Sequence, residues 1–160
     1  MTARSEWLEL IPLEVAHAEE MAEVLGDPAL HAFIGGEPLA VGQLRERYAR
    51  LAAGSPDPAE RWLNWVLRLV AEDRLVGTVQ ATVRGTEAEI AWIVGTPWQG
   101  RGYAREAVRV MVEALAGQGV RTLVAHVHPE HHASAAVAAA AGLAVTERWY
   151  DGERRWELRR

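Results

Sequence analysis

The stretch "WQGRGYAREAV", Trp98 to Val108, sets two glycines around an arginine at the mouth of an amphipathic helix. Glycine carries an entropic penalty of roughly 1 kcal/mol relative to alanine, so a pair of them marks a backbone that a ligand approaches closely. A helix start also gathers unpaired N–H groups and the positive end of the helix dipole. The natural visitor is an anion, and Arg101 and Arg105 add positive charge at the same place.

Two phosphate-binding patterns fail here. A P-loop needs a lysine and a serine or threonine after its second glycine, whereas all seventeen basic residues of this chain are arginine. A dinucleotide fingerprint wants a small residue where Arg105 stands, inside a repeated βαβ layout. The bland alternative is a tight strand-to-helix turn. The flanking pattern favours a pyrophosphate cradle instead, because a strand feeds the loop and the following helix leads to a second strand.

Upstream, Trp62–Ala71, Arg74–Val83 and Glu87–Val94 read as three strands joined by the short turns "EDR" and "RGTE". Connections this short join antiparallel neighbours. Further upstream lie a strand at Trp7–Leu13, a helix at Val15–Leu25, a loop, and a helix at Gly42–Ala53. Downstream of the glycines, Ala104, Ala107, Val108, Met111, Val112 and Leu115 share one helical face, and "GQG" ends that helix. Arg121–Val127 then reads as a strand parallel to the one before the loop. A short alanine helix follows at His132–Gly142, and "AVTERWY" and "RRWELR" flank the hairpin signal Asp151-Gly152. The order is βααβββαβαββ, an α/β (α+β) fold with a mixed, mostly antiparallel sheet.

Composition bounds the function. The 160 residues suit a single domain spanning 1–160. No cysteine is present, which excludes disulfides, thiolate metal sites and a cysteine nucleophile. A net charge of −5 argues against a general nucleic-acid partner. No apolar run spans a membrane and the opening residues lack a secretory signal, so the expected location is the cytoplasm.

The glycine loop and the element order together resemble the GNAT superfamily of acyl-CoA-dependent N-acyltransferases. The family signature of Gln or Arg, two residues, Gly, one residue, Gly or Ala is matched by Gln99, Gly102 and Ala104. The stretches "AEIAWIVGTPWQGRGYA" and "HVHPEHHASAAVAAAAGL" resemble the branch that includes ribosomal-protein alanine acetyltransferases. The resemblance covers nearly the whole chain. It implies acetyl-CoA as co-substrate, a primary-amine acceptor, direct attack without a covalent enzyme intermediate, and a splayed parallel strand pair holding the cofactor arm. Homodimers are frequent among similar proteins.

Carried onto this chain, the resemblance assigns the pyrophosphate to the backbone of Gln99, Gly100, Arg101, Gly102, Tyr103 and Ala104 and the helix that follows, beside Arg105. The main chain of Trp92, Ile93 and Val94 would pair with the pantetheine amides. His131 stands where family members commonly carry an asparagine that holds the cofactor arm, and the usual proton-donating tyrosine is replaced within the alanine run near Ala138. Ser134 is the substitute acid, with Tyr103 behind it. Glu89 leads as the base and His126 follows, each against the alternative of an ordinary surface strand residue.

Two rival readings remain. The missing tyrosine and altered asparagine fit a non-catalytic acyl-CoA-binding module. "HVHPEHH" places four histidines in seven residues, and His126, His128 and either His131 or His132 have spacings that permit zinc; the family itself needs no metal. Trp62, Trp65 and Trp92 fall on adjacent expected strands, as core residues or as an aromatic substrate wall. The segment His31–Gly42 is expected to cover the acceptor side.

Overall fold

The computed structural model describes residues 2–160, and of Ile34 the backbone only; Met1, the start of the expected domain, lies outside them. A two-residue strand, β1 (Ala3–Arg4), pairs antiparallel with β2 (Leu8–Pro12). The helix expected from Val15 to Leu25 divides in two: a 3-10 turn at Val15–His17, then α1 (Ala18–Val24). The Ala18 N–H bonds back to Val15 and tightens that first turn.

The stretch after α1 departs from the expected loop. Pro28–Leu30 forms another 3-10 turn and α2 (His31–Ile34) one helical turn. Asp27 caps this entry by accepting the Ala29 N–H at 2.9 Å, and Pro28 presets the backbone. α3 (Val41–Ala53) follows, with Leu44 and Tyr48 buried.

The meander is β3 (Glu60–Leu69), β4 (Arg74–Arg84) and β5 (Glu87–Val94), antiparallel throughout. β3 starts and ends two residues earlier than Trp62–Ala71. Glu60 is drawn into the ladder opposite Arg84, to which it is ion-paired at 3.0 Å, and the chain turns after Leu69 through Asp73 at φ 49°. A bulge interrupts the β3–β4 ladder at Leu67/Arg68.

After the glycine loop come α4 (Tyr103–Gly117), β6 (Thr122–Val127), α5 (His132–Ala140), β7 (Ala144–Tyr150) and β8 (Glu153–Arg159). Both long connections end in Schellman caps. Gly119 and Val120 bond back to Ala116 and Leu115, and Gly142 and Leu143 to Ala139 and Ala138. Asp151 and Gly152 both take positive φ, as the hairpin signal requires.

The described residues form one eight-stranded sheet in the order β1-β2-β3-β4-β5-β6-β8-β7. Only β5 and β6 run parallel, and only from Glu87↔Thr122 to Glu89↔Val124. Beyond that pair the two strands part. α1 and α3 pack together against β3 and β4, while α4 and α5 pack together over β5 and β6, so a helical layer covers each face. α4 buries Ala107, Val108, Met111 and Leu115 completely, and each of its larger apolar side chains contributes about 1.5–3 kcal/mol. That packing fixes the helix start against the open end of β5.

Candidate functional site

Gly100 and Gly102 take φ of 76° and 85°, and Gly102 is the N-cap of α4 without any side-chain cap. A Cβ at either glycine would meet open space, so backbone conformation selects glycine and leaves the surface bare. None of the N–H groups from Gly100 to Arg105 finds a hydrogen-bond partner among the described residues. Gln99 differs from its neighbours. Its N–H is taken by the Thr96 carbonyl at 3.2 Å, and its side chain donates to the Val94 carbonyl at 2.9 Å, tying the loop to the end of β5. Arg101 and Arg105 are exposed and carry no ion pair with the described residues.

A cavity of about 450 Å³ opens on this loop. Its walls include Trp92, Ile93 and Val94 on β5, Tyr103 and Ala104 on α4, and Ser134 on α5. It lies between β5 and the helices α4 and α5, beside the wedge where the main chain of β5 beyond Glu89 has no partner strand on the β6 side. Over the wedge lies the stretch Ala29–Phe33. Phe33 stacks on His131 at 4.3 Å and 9°, and touches His128 at 5.2 Å. His131 also lies 3.3 Å from Ser134 Oγ through Nε2. Burial, with help from the neighbouring His128 charge, holds the His131 imidazole below its ordinary pKa and so keeps it neutral.

A second cavity, about 440 Å³, lies across β5 against α3. The floor is Asn64, Thr78, Gln80 and Ala91, and the far wall is Arg47 and Tyr48. Trp92 and Ile93 line both cavities. The segment expected to cover the acceptor side splits its work: Ala29, Leu30 and Phe33 border the first cavity, while Gly35, Gly36 and Glu37 border the second. Among the tryptophans, Trp65 is buried, half-buried Trp62 donates to Glu60 at 2.7 Å, and Trp92 alone of the three lines both cavities.

Glu89 and His126, rivals for one role on sequence grounds, are partners here. His126 Nδ1 lies 2.9 Å from Glu89 Oε1 at the apex of the wedge, with the ring tilted against Tyr150. A carboxylate only accepts, so in the neutral imidazole Nδ1 carries the proton and Nε2 the free lone pair. The pair lines neither cavity; it stands at the end of the parallel ladder, two residues before Ala91.

The other imidazoles diverge. His128 accepts the Glu130 N–H at 3.1 Å and His131 faces Phe33. Among the described residues no group of three histidines or carboxylates is placed to hold a metal. Sequence reasoning gave no individual role to Phe33, Arg47 or Tyr48, although Phe33 falls within the segment His31–Gly42 expected to cover the acceptor side. Only the i, i+3, i+4, i+7 pattern of Leu44, Arg47, Tyr48 and Leu51 signalled that Arg47 belongs to the inward edge of its helix.

The sheet parts beside a helix start whose N–H groups are unpaired, and comparison with known proteins gives the class of protein that carries this arrangement, a transferase. Residues 8–144 match the model of the acetyltransferase (GNAT) domain, and the chain belongs to that family. No curated protein matches it in sequence. Among solved structures, a GNAT-family acetyltransferase from Bacillus anthracis superposes with a TM-score of 0.82 at 18% identity, over 99% of this chain and 98% of that one. RimL, a ribosomal L7/L12 α-N-protein acetyltransferase solved with coenzyme A, gives 0.83 at 14% identity over 99% and 98%. The ribosomal-protein-S5-alanine acetyltransferase of Vibrio fischeri gives 0.77 at 18% over 99% and 96%. No helix among the described residues is long and apolar enough to cross a membrane.

Proposed function

We propose that the protein transfers the acetyl group of acetyl-CoA to a primary amine by direct attack, residues 1–160 acting as one catalytic domain. The observation that carries this reading is the row of unpaired N–H groups from Gly100 to Arg105 beside the cavity, next to the β5 edge that β6 leaves without a partner beyond Glu89. The row suits a pyrophosphate, and the exposed main chain of β5 suits the amides of the pantetheine arm. In this reading the thioester lies at Trp92–Ile93, the residues that line both cavities.

The amine enters from the α3 side and must be neutral to attack. His126 Nε2, its tautomer set by Glu89, takes the ammonium proton directly or through a water. The nitrogen lone pair then forms the new C–N bond at the thioester carbon while a main-chain N–H near Ile93 stabilises the oxyanion. As the tetrahedral intermediate collapses, the C–S bond breaks and the thiolate takes the Ser134 hydroxyl proton while a proton from solvent replaces it, so that Ser134, 3.3 Å from His131 Nε2, relays the proton and ends unchanged. His126 releases the first proton, taken from the ammonium, to solvent, and the emptied Nε2 then passes the second proton of the attacking nitrogen to solvent in the same way. Holding both reactants at one partition supplies the entropic part of the rate enhancement.

The test is calorimetric titration with acetyl-CoA alongside a thiol-release assay against a panel of amines. The expected result is micromolar binding that Gly102→Trp weakens about a hundredfold, equal to roughly 2.7 kcal/mol. Undiminished affinity in that variant removes the cradle. Binding without thiol release for any amine in the panel would instead favour the non-catalytic module.

A further inference from the structure

We infer that the acceptor pocket is built for a primary amine that also bears a carboxylate, of the α-amino acid class, with Arg47 and the Tyr48 hydroxyl receiving the carboxylate. This deepens the acetyl-transfer reading above and rests on it.

The inference starts from two neighbouring groups on α3, a buried hydroxyl without a partner and an exposed guanidinium without an ion pair among the described residues. Tyr48 is 3% exposed and its hydroxyl has no hydrogen-bond partner among the described residues, although it borders the second cavity. A buried hydroxyl left unpaired is a standing penalty that an incoming acceptor oxygen removes. Burial also pushes the Tyr48 pKa up to about 12, so the group stays a proton donor throughout the working pH range. Arg47, one residue before it, makes no ion pair with the described residues, whereas Arg45 on the same helix faces Glu19 at 4.0 Å. Arg47 is exposed at the cavity rim, and a cation there next to an unused buried donor can receive a carboxylate, because a guanidinium matches a carboxylate in charge and in planar geometry.

The remaining wall narrows the choice. Asn64, Thr78 and Gln80 are uncharged. His31 lies 3.4 Å and 3.2 Å from the carbonyls of Gly35 and Leu25 through its two ring nitrogens, so it is held by its own loop. Glu37 is the one carboxylate bordering the cavity, and it is exposed. One cation and one anion suit a zwitterion; a polyamine would meet Arg47 as repulsion. A cavity of about 440 Å³ also fits a small molecule with its amine at Ala91–Ile93.

Thiol release at saturating acetyl-CoA would be measured for free amino acids, for their carboxamides and for the amines lacking the carboxyl group, with leucine, leucinamide and 3-methylbutylamine as one matched set and spermidine as a control. In the wild type, kcat/KM for the best amino acid should exceed that of its amide and its decarboxylated partner by tenfold or more. Arg47→Gln should bring that ratio close to one, and Tyr48→Phe should reduce it several-fold; thermal melting checks that both fold. An amide, a simple amine or spermidine matching or exceeding the amino acids in the wild type overturns the inference while leaving acetyl transfer intact.

If no amine releases thiol, the acetyl-transfer reading fails separately, and the pocket is read by calorimetry with N-acetyl amino acids and their amides. Carboxylate-dependent binding lost in Arg47→Gln upholds the receptor. Equal binding of acid and amide, or none, overturns it.

Discussion

The two cavities on either side of Trp92 are built from different material. The one facing α4 presents main chain: N–H groups from Gly100 to Arg105 and a strand edge beyond Glu89. The one facing α3 presents side chains: Arg47, Tyr48, Asn64 and Gln80. A ligand common to a whole family can be held by backbone, whose donors survive any substitution that keeps φ and space open. An acceptor that differs from one protein to the next must be chosen by side chains, which change one at a time.

The largest effect expected from this division is on turnover. Glu89→Gln should lower kcat about a hundredfold, within the range for losing general-base assistance, while the Kd for acetyl-CoA moves less than about threefold. Steady-state thiol release and calorimetry on the same preparation measure both. A comparable loss of cofactor affinity would break the division, since the apex would then belong to the cofactor side.

A smaller effect should come from the partition itself. A methyl group at Gly77 would overlap the Ile93 carbonyl oxygen of the neighbouring strand, and β5 must shift to admit it. Gly77→Ala should therefore destabilise the protein by about 1–3 kcal/mol and lower Tm by several degrees. KM should rise for both substrates, because Trp92 and Ile93 line both cavities. An unaltered Tm would show that β5 yields freely and sharpen the question of what holds it.

The smallest effect concerns the stretch Ala29–Phe33 that covers the wedge. His131 is held neutral in the fold, so its contribution is present above the ordinary imidazole pKa and is lost as pH falls through the lowered value. Between about pH 7 and pH 5, amide protection over residues 28–36 should fall a few-fold as the charged ring leaves the Phe33 face. His131→Leu should flatten that dependence. Equal pH sensitivity in the variant would assign it to another group.

The same contrast explains what the sequence alone revealed. The glycine turn before α4 was legible because Gly100 and Gly102 announce a positive-φ backbone, and the meander because its turns are too short for crossovers. Asp151-Gly152 and the cap at Gly142 were readable for the same local reason. The one-turn helix at His31–Ile34 was not, since it depends on Phe33 meeting two histidines about a hundred residues away. Pairing of Glu89 with His126 was equally hidden, because it needs the register of two parallel strands. Arg47 and Tyr48 passed as an ordinary helix edge, their unused hydrogen bonds visible only in three dimensions.

The short β5–β6 ladder has a mechanical consequence. Three residue pairs stitch the five-strand half of the sheet to the three-strand half, making a seam at the middle of the molecule. A cofactor arm laid along β5 would act as a splint across that seam, bracing the halves where their own hydrogen bonds run out. Bound coenzyme at a hundred times its dissociation constant adds about 2.7 kcal/mol to the folded state, and this reinforcement would fall on the least stitched line of the fold.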